Sequence, residues 1–217
     1  MRTLPDDGDP GANDTYFTAQ PRSRSARRHL RFLYRGEVIE VEVDRGVFAS
    51  SGLDRGTELL IESTVVGPSD RVLDMGCGWG AVGIAAAKSA ESGHVILVDV
   101  NRRAAHLARR NLERNHIENA EVRIGSLFEP VDGERFDLIM SNPPYRAGRP
   151  LIQQLIAEAP RHLVPSGRLV VVGKKSQGIK FYQDLLEATW PGPVEILGRG
   201  SGYRVIEARL APRKHAP

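Results

Sequence analysis

The sequence predicts an α/β protein built on a doubly wound, mostly parallel β-sheet, and three observations support this prediction. From residue 70 onward, short apolar segments of strand length alternate with longer segments of helical periodicity. Such alternation is typical of a parallel sheet with helices on both faces. The first of these strands runs into a glycine-rich segment. The last two strand-like segments are joined by a glycine-rich turn, which predicts an antiparallel hairpin at the sheet edge.

The remaining elements follow in order. A small N-terminal β-hairpin is expected around Arg35-Gly36, because residues on both sides of this pair alternate with a period of two. A short helix is expected over 58–66 with Thr57 as its N-cap. The seven strands of a Rossmann-like sheet are predicted at 71–75, 94–98, 122–124, 136–140, 169–172, 194–197 and 203–209. The other helices are predicted at 81–90, 102–115, 152–163 and 179–189.

Composition divides the chain into three parts. Residues 1–20 are predicted to form a disordered acidic tail, because Asp, Gly and Pro dominate there and no apolar cluster is present. Residues 21–56 are predicted to form a basic arm followed by the β-hairpin. Residues 57–217 are predicted to form the α/β domain.

The basic arm predicts contact with phosphate groups, as in nucleic acids. Arginines are frequent between Pro21 and Arg35 and no acid occurs there, although the net charge of the 217-residue chain is only +3. A solvated linker without a partner is the alternative. The residues expected to contact RNA are Arg22, Arg24, Arg27, Arg28, Lys174 and Lys175. By contrast, two columns of side chains at helical spacing in the predicted helix 102–115 are expected to form a solvated face, with RNA contact as the alternative. They are Arg102, His106 and Arg109 in one column and Arg103, Arg110 and Arg114 in the other.

Several protein classes are excluded by composition. No apolar run approaches the roughly 18 residues of a membrane helix, and the N-terminus lacks the apolar core of a secretory signal. Cys77 is the single cysteine, which excludes an internal disulfide, and the six histidines show no metal-ligand spacing. We therefore expect a cytoplasmic protein without a bound metal or a membrane partner.

The glycine-rich segment "VLDMGCGWG" predicts a ligand site. Its glycines allow the backbone to turn sharply and to approach a ligand, and the next strand ends at Asp99, where an acid can accept both hydroxyls of a ribose. The spacing also fits the dinucleotide fingerprint. Asp74, however, stands directly before the glycines and would repel a pyrophosphate. It suits a cationic ligand, so the sequence favours S-adenosylmethionine over NAD.

The segment "SNPPY" ends the fourth strand of the sheet with a rigid corner, because proline cannot continue a strand. The Asn142 side-chain oxygen and the Pro143 carbonyl can accept hydrogen bonds from an amine whose lone pair is delocalised, and so localise that lone pair. Tyr145 offers a face on which a planar group can stack. These three residues are the predicted catalytic residues.

Together these segments resemble the class I S-adenosylmethionine-dependent methyltransferases that act on planar nitrogen. With "DRGVFASSGLDRGTELLIE", "NPPYRAG", "KKSQG" and "GYRV", the chain is similar to the small-subunit ribosomal RNA guanine-N2 methyltransferase C family, in a short single-domain form, over roughly 15–210. The resemblance implies methylation of an exocyclic base nitrogen, with ribosomal RNA or the small ribosomal subunit as partner. The long enzymes of this family carry a second, degenerate domain for RNA, which is not expected in this short form.

The resemblance also assigns residues to the cofactor. The residues that it places around S-adenosylmethionine are Asp74, Gly76, Cys77, Gly78, Gly80, Asp99, Val100, Ser126, Leu127 and Asn142. Two positions depart from the family pattern: Ser126 stands where an Asp is usual near the adenine, and Tyr145 stands where the guanine enzymes often have Phe. Adenine N6 and the carboxamide of a protein glutamine therefore remain alternative targets. A non-catalytic RNA-binding or assembly protein is the alternative outside the enzymes.

Overall fold

The computed structural model describes residues 25–47 and 52–212. The strands are Arg28–Tyr34 (β1), Glu37–Val43 (β2), Arg71–Met75 (β3), His94–Asp99 (β4), Ala120–Ile124 (β5), Phe136–Ser141 (β6), Leu163–Lys174 (β7), Val194–Gly200 (β8) and Tyr203–Arg209 (β9). The helices are Arg55–Ser63 (α1), Ala81–Ser89 (α2), Arg102–Arg114 (α3), Arg149–Glu158 (α4) and Ile179–Thr189 (α5). The predicted acidic tail over 1–20 and the predicted contacts Arg22 and Arg24 lie outside the described residues.

One seven-stranded sheet organises the fold, with the strand order β5-β4-β3-β6-β7-β9-β8. Strands β3 to β7 pair in parallel, whereas β9 runs antiparallel to both β7 and β8. The separate strands β1 and β2 form an antiparallel hairpin. The predicted fold class is thereby confirmed, including both hairpins.

Helices cover both faces of the sheet. Side chains alternate along each strand, so Val72 of β3 packs on the face that carries α1, α2 and α3, while its neighbour Leu73 packs on the face of α4 and α5. The β1–β2 hairpin adds Ile39, Val41 and Val43 to the first of these clusters. The hairpin therefore shares its core with the sheet.

The hairpin is joined to α3 by polar contacts that we call the hairpin seam: Arg27, Glu40, Glu42, Arg110, Asn111, Arg114 and Asn115. The Asn111 amide donates to the carbonyls of Glu42 and Trp79 and accepts from the Glu42 N–H, at 2.7 to 2.9 Å. Arg27, Arg110 and Arg114 surround the buried Glu42 carboxylate at 2.9 to 3.9 Å, as ion pairs without hydrogen-bond geometry.

The predicted solvated face on α3 is found at Arg102, His106 and Arg109, which are exposed, whereas the second predicted column is engaged with neighbouring groups. Arg110 and Arg114 neutralise Glu42, and Arg103 donates to the Arg45 carbonyl at 2.7 Å. Helical spacing shows that these residues share a face of the helix, but it does not show which acid lies opposite. Arg27, predicted to contact RNA, also has Glu42 as its partner at 3.1 Å.

Two predicted helix boundaries were displaced. Helix α1 begins at Arg55 because the carboxylate of Asp54, not Thr57, accepts from the first N–H groups of the helix. Helix α4 begins at Arg149 and ends at Glu158, and a 3-10 turn over Ala159–His162 leads directly into β7. Among the described residues, no helix has both the length and the apolar content to cross a bilayer.

Candidate active site

An open cleft lies at the carboxyl ends of β3, β4 and β6. The chain order of the sheet reverses between β3 and β6, and open α/β sheets bind their ligands at such a point. The cleft is lined by Val47, Met75, Gly76, Gly78, Val98, Asp99, Val100, Ala104, Gly125, Ser126, Leu127, Ser141, Asn142, Pro143, Pro144, Leu151, Ile152 and Leu155.

The glycine loop after β3 is held open towards the cleft. Gly76 and Gly78 have φ values of +78° and +56°, which disfavour other residues, and a Cβ at either would meet no atom within 4 Å. The N–H groups of Gly76 and Cys77 both donate to the Val98 carbonyl, at 2.8 and 3.0 Å, which ties the loop to β4.

The predicted contacts Cys77 and Gly80 lie behind this loop. Cys77 is buried and lines a smaller pocket beside the cleft, together with Asp74 and Asn142. Gly80 lines neither space, and its Cβ would lie 3.3 Å from the Cβ of Ala108. A glycine is favoured there by its φ of +98° and by the close packing of α2 against α3.

Asp99 ends β4 with its carboxylate held at the cleft. One oxygen accepts from the Gly78 N–H and the other from the Asn101 N–H, both at 2.8 Å. Burial raises the pKa of this carboxyl to about 6, against the lowering effect of these hydrogen bonds. Each oxygen keeps a lone pair for a ligand hydroxyl. Val100, the next residue, lines the cleft as predicted.

Asp74 is the more deeply buried carboxylate, and it lies behind the glycine loop. Its Oδ2 accepts a hydrogen bond of 2.8 Å from the Gly83 N–H. Burial raises the pKa of Asp74 to about 7, and the charge of Asp99 contributes a smaller increase. A cation bound near Asp74 would restore the ionised form, so this acid suits a positively charged ligand.

The corner after β6 presents Asn142 to the cleft. The Ser141 hydroxyl donates to the Met75 carbonyl at 2.8 Å and ties β6 to β3. The Asn142 amide nitrogen donates to the Thr57 hydroxyl oxygen at 2.9 Å, while its Oδ1 accepts no hydrogen bond from the described residues. The Pro143 carbonyl accepts from the Tyr145 N–H at 2.9 Å and keeps one lone pair.

Tyr145 turns away from the cleft lining. Its hydroxyl donates to the Val172 carbonyl at 2.8 Å, and its ring packs against Tyr182 with the centroids 5.7 Å apart. Gly173 makes room for it, because a Cβ there would lie 2.1 Å from the tyrosine oxygen. Burial raises the pKa of Tyr145. The stacking role of this ring stays a prediction.

Ser126 and Leu127, the predicted adenine contacts, line the cleft, but the apolar wall of the cleft was missed in the sequence. Leu151, Ile152 and Leu155 of α4 form this wall opposite the glycine loop. Their spacing is the signal of one helix face, yet the predicted helix began only at residue 152. The contacts of Asn142 with Thr57 and Asp54 were also missed, because they join segments 85 residues apart or more.

The predicted RNA contacts that the structure describes lie in two places. Arg27 and Arg28 lie at the start of the hairpin, next to Ala26, whose N–H donates to Asp44 at 2.6 Å. Lys174 and Lys175 are exposed at the carboxyl end of β7, and Lys174 Nζ lies 5.6 Å from the Tyr203 ring centroid. Across both described ranges, no three His, Cys, Asp or Glu side chains are grouped as metal ligands would be.

The donor set fits S-adenosylmethionine. Open space beside Gly76 and Gly78 leaves room for a ligand against the backbone, and Asp99 offers two oriented acceptors to a ribose. The buried carboxylate of Asp74 opposes a phosphate and favours an ammonium or sulfonium. A dinucleotide fits this loop less well.

Comparison with known proteins agrees with this geometry. The family model described as "Methyltransferase small domain" matches residues 38–207. The chain is 31% identical over 199 residues to the uncharacterized protein YbxB of Bacillus subtilis (strain 168), covering 91% of this chain and 98% of that relative. It is 35% identical over 187 residues to the ribosomal RNA small subunit methyltransferase C of Escherichia coli (strain SMS-3-5 / SECEC), covering 83% of this chain and 53% of that enzyme.

A solved structure shares the fold over most of the chain. This is the T. Thermophilus 16S rRNA N2 G1207 methyltransferase in complex with AdoMet and guanosine, with a TM-score of 0.75 and 25% identity, covering 88% of this chain and 52% of that one. The present chain thus spans about half the length of the ribosomal RNA methyltransferases it matches. These findings confirm the predicted methyltransferase class, its cofactor and the resemblance to the methyltransferase C enzymes.

Proposed function

The chain belongs to the methyltransferase small domain family, and from this premise we propose that it methylates the exocyclic N2 amine of a guanine in small-subunit ribosomal RNA. One observation carries the proposal: Asn142 lies in the cleft with its amide nitrogen bound, while its oxygen accepts from none of the described residues. That is the arrangement required to grip an amine, because an amine offers hydrogens.

Asn142 and Pro143 would act on the target amine by preorganised acceptance of its two hydrogens. An exocyclic amine is a poor nucleophile because its lone pair is delocalised into the ring. Two fixed acceptors favour a pyramidal nitrogen whose lone pair points at the methyl donor. The Tyr145 N–H, 2.9 Å from the Pro143 carbonyl, holds one of these acceptors in place.

Five residues would hold the cofactor, which supplies an electrophilic methyl group on sulfur. Asp74 would attract the cationic methionine end through the smaller pocket, and Asp99 would accept the ribose hydroxyls. Val98 and Leu127 would enclose the adenine with the apolar wall of α4, and Ser126 at the rim would face its polar edge. Exclusion of water by this wall strengthens each polar contact.

Guanine is the target that we favour among the planar nitrogens. The similar solved enzyme is named for N2 of a guanine and was obtained with guanosine. The tyrosine at position 145 does not argue against guanine, because its hydroxyl is bound to Val172 at 2.8 Å. This hydrogen bond therefore explains why position 145 is a Tyr rather than a Phe.

The RNA would dock on an exposed basic surface beside the cleft, which we call the edge surface: Lys174, Lys175, Arg199 and Tyr203. Within the part of the chain that the structure describes, none of its three cations forms an ion pair. Tyr203 connects this surface to the site, since Gly56 at the start of α1 approaches its ring. Burial raises the pKa of Tyr203, and the nearby charge of Asp54 adds to the increase. Cations beside an aromatic ring suit phosphates and bases.

The predicted arm would add a second contact. Ser25 and Ala26, where the described chain begins, are fixed by hydrogen bonds of 2.7 and 2.6 Å to Asp44. Val47, three residues after Asp44, lines the cleft. We propose that Arg22 and Arg24 contact RNA phosphates, with Arg28, while Arg27 serves mainly the hairpin seam.

Charge reversal tests the edge surface. The pair Lys174→Glu and Lys175→Glu is expected to raise KM for RNA about tenfold at low salt and to flatten its salt dependence, because two phosphate contacts are lost. Lys88→Glu is the control, since Lys88 pairs with Glu37 on the hairpin side of α2. An unchanged KM for the double variant would place the RNA elsewhere.

The function itself is tested by transfer of a tritiated methyl group from S-adenosylmethionine to naked ribosomal RNA, small subunits and cell protein, each with wild type and Asn142→Ala. We expect N2-methylguanosine after digestion of the RNA, and a large loss in the variant. N6-methyladenosine would retain the mechanism and change the base. Label in protein alone would indicate a glutamine methyltransferase, and no label would leave a binding protein.

A further inference from the structure

The amide of Asn142 must adopt one of its two orientations for the proposed grip to work. With the oxygen towards the cleft, the side chain accepts from the target amine. With the amide turned over, it would present its own N–H groups to a donor and repel it. Pro143, the following residue, stiffens the backbone, but it does not decide which end of the Asn142 amide faces the cleft.

The contacts behind Asn142 decide the orientation. The Asn142 nitrogen lies 2.9 Å from the Thr57 oxygen, and the Thr57 hydroxyl is in turn bound to Asp54 Oδ2. An ionised carboxylate only accepts, so the single hydroxyl proton of Thr57 must point at Asp54. Thr57 is left with lone pairs towards Asn142, and these require the N–H group of the amide there. The direction of these hydrogen bonds therefore places the side-chain oxygen of Asn142 towards the cleft.

We propose that Thr57 and Asp54 are positioning residues that hold the Asn142 amide with its oxygen towards the target. This proposal rests on the proposed function. Both residues belong to the start of α1, before the sheet, whereas Asn142 follows β6. Thr57 is buried, and Asp54 Oδ2 also lies 3.5 Å from the Asn142 nitrogen, so the two acceptors share one donor group.

Asp54 has a second role that complicates its own substitution. Its Oδ1 accepts from the N–H groups of Gly56 and Thr57 at 3.0 and 3.3 Å and so caps α1. Loss of a cap lowers stability whatever happens in the cleft. Thr57 is the cleaner position, because Thr57→Val keeps the branched shape and removes the hydroxyl alone.

The experiment compares Thr57→Val, Thr57→Ser and Thr64→Val. Thr64 is a buried threonine that follows α1, and its hydroxyl donates to the Leu60 carbonyl at 2.7 Å, so Thr64→Val is a matched structural control. We expect Thr57→Val to lower kcat roughly 10- to 100-fold, because the acceptor loses its fixed orientation. The dissociation constant for S-adenosylmethionine should stay within about twofold of wild type, and Thr57→Ser should restore most of kcat.

A second readout follows the amide directly. In a 15N spectrum the side-chain NH2 group of Asn142, identified by its disappearance in Asn142→Ala, should exchange slowly with solvent in wild type and rapidly in Thr57→Val. Thr64→Val should leave it unchanged. If Thr57→Val kept the wild-type kcat and the wild-type amide signal, the positioning role would be wrong while the proposed function stood.

The two proposals fail separately. If wild type transferred no methyl group to any substrate, the proposed function would fall, and the amide exchange alone would decide whether Thr57 orients Asn142. If wild type methylated RNA and Thr57→Val lost no more kcat than Thr64→Val, the orientation would be set by other contacts.

Discussion

Two asparagine side chains show how the same group serves different purposes in the hairpin seam and in the cleft. Asn111 is fully buried, and both ends of its amide are bound: the oxygen to Glu42, the nitrogen to Glu42 and Trp79. Within the described ranges, the Asn142 amide is bound through its nitrogen and not through its oxygen. The first amide has no capacity left for a ligand, whereas the second has one acceptor oriented and unused.

The same contrast separates the acids of the two regions. Glu42 is surrounded by three arginines that compensate its charge. Asp74 is buried to the same degree but accepts from the Gly83 N–H and has no cation beside it among the residues that the structure describes. Buried polar groups are costly unless they are satisfied. A buried carboxylate whose charge is left uncompensated at one edge of the sheet therefore indicates where a ligand binds.

The strongest test of this comparison replaces each asparagine separately with alanine. Asn142→Ala is expected to lower kcat about 10²- to 10³-fold with little effect on stability, because it removes a preorganised acceptor. Asn111→Ala should lower the free energy of unfolding by on the order of 3 kcal/mol, since three buried backbone groups lose their partner, and should leave kcat per folded molecule near wild type. Urea unfolding and methyl-transfer kinetics measure the two effects. Equal losses of stability in the two variants would show that the two asparagines do not differ in their structural role.

The next effect concerns the pH dependence of stability at Asp74. Its pKa is raised from the ordinary 3.8 to about 7 in the folded state, so the protein binds this proton more tightly than the unfolded chain does. The resulting stabilisation is complete below pH 3.8 and is lost as pH rises through about 7. A shift of this size corresponds to on the order of 4 kcal/mol.

Asp74→Asn should therefore gain stability relative to wild type as pH rises from 4.5 to 8, measured by urea unfolding without cofactor. S-adenosylmethionine should bind wild type more tightly at pH 8 than at pH 5.5, because the cationic ligand favours the ionised acid. The variant should bind weakly at both values. If the free energies of unfolding of variant and wild type changed in parallel with pH, the ionised carboxylate of Asp74 would already be stabilised in the folded protein.

A smaller effect tests how the corner after β6 is supported. Gly173→Ala is expected to lower stability by about 1–3 kcal/mol and to reduce kcat, because the added methyl group displaces the Tyr145 hydroxyl from the Val172 carbonyl. Gly200→Ala is the control, since a Cβ there meets Leu59 at an ordinary 3.8 Å. If Gly173→Ala lost stability but kept kcat, the cleft would not depend on the position of Tyr145.

Much of the fold could be predicted because periodicity is a local property. The strands of the sheet, both hairpins and the glycine loop follow from alternation and from residues with special backbone preferences. The N-cap of α1 was placed at Thr57 because Thr and Asp are both good caps, and only the folded contacts show that the Asp54 carboxylate takes that role. Composition alone could not distinguish them.

The chemical character of the cleft was likewise contained in short segments of sequence: an acid before a glycine loop, an acid at the next strand end, and an asparagine followed by two prolines. Each can be recognised because its neighbours in the chain determine its geometry. The tertiary structure decided what depends on distant partners. Arg110 and Arg114 neutralise Glu42, Tyr145 is held by β7, and the orientation of Asn142 is set by a threonine 85 positions earlier. Hydrogen-bond polarity and charge compensation depend on which groups meet in space, so they become visible only when the chain is folded.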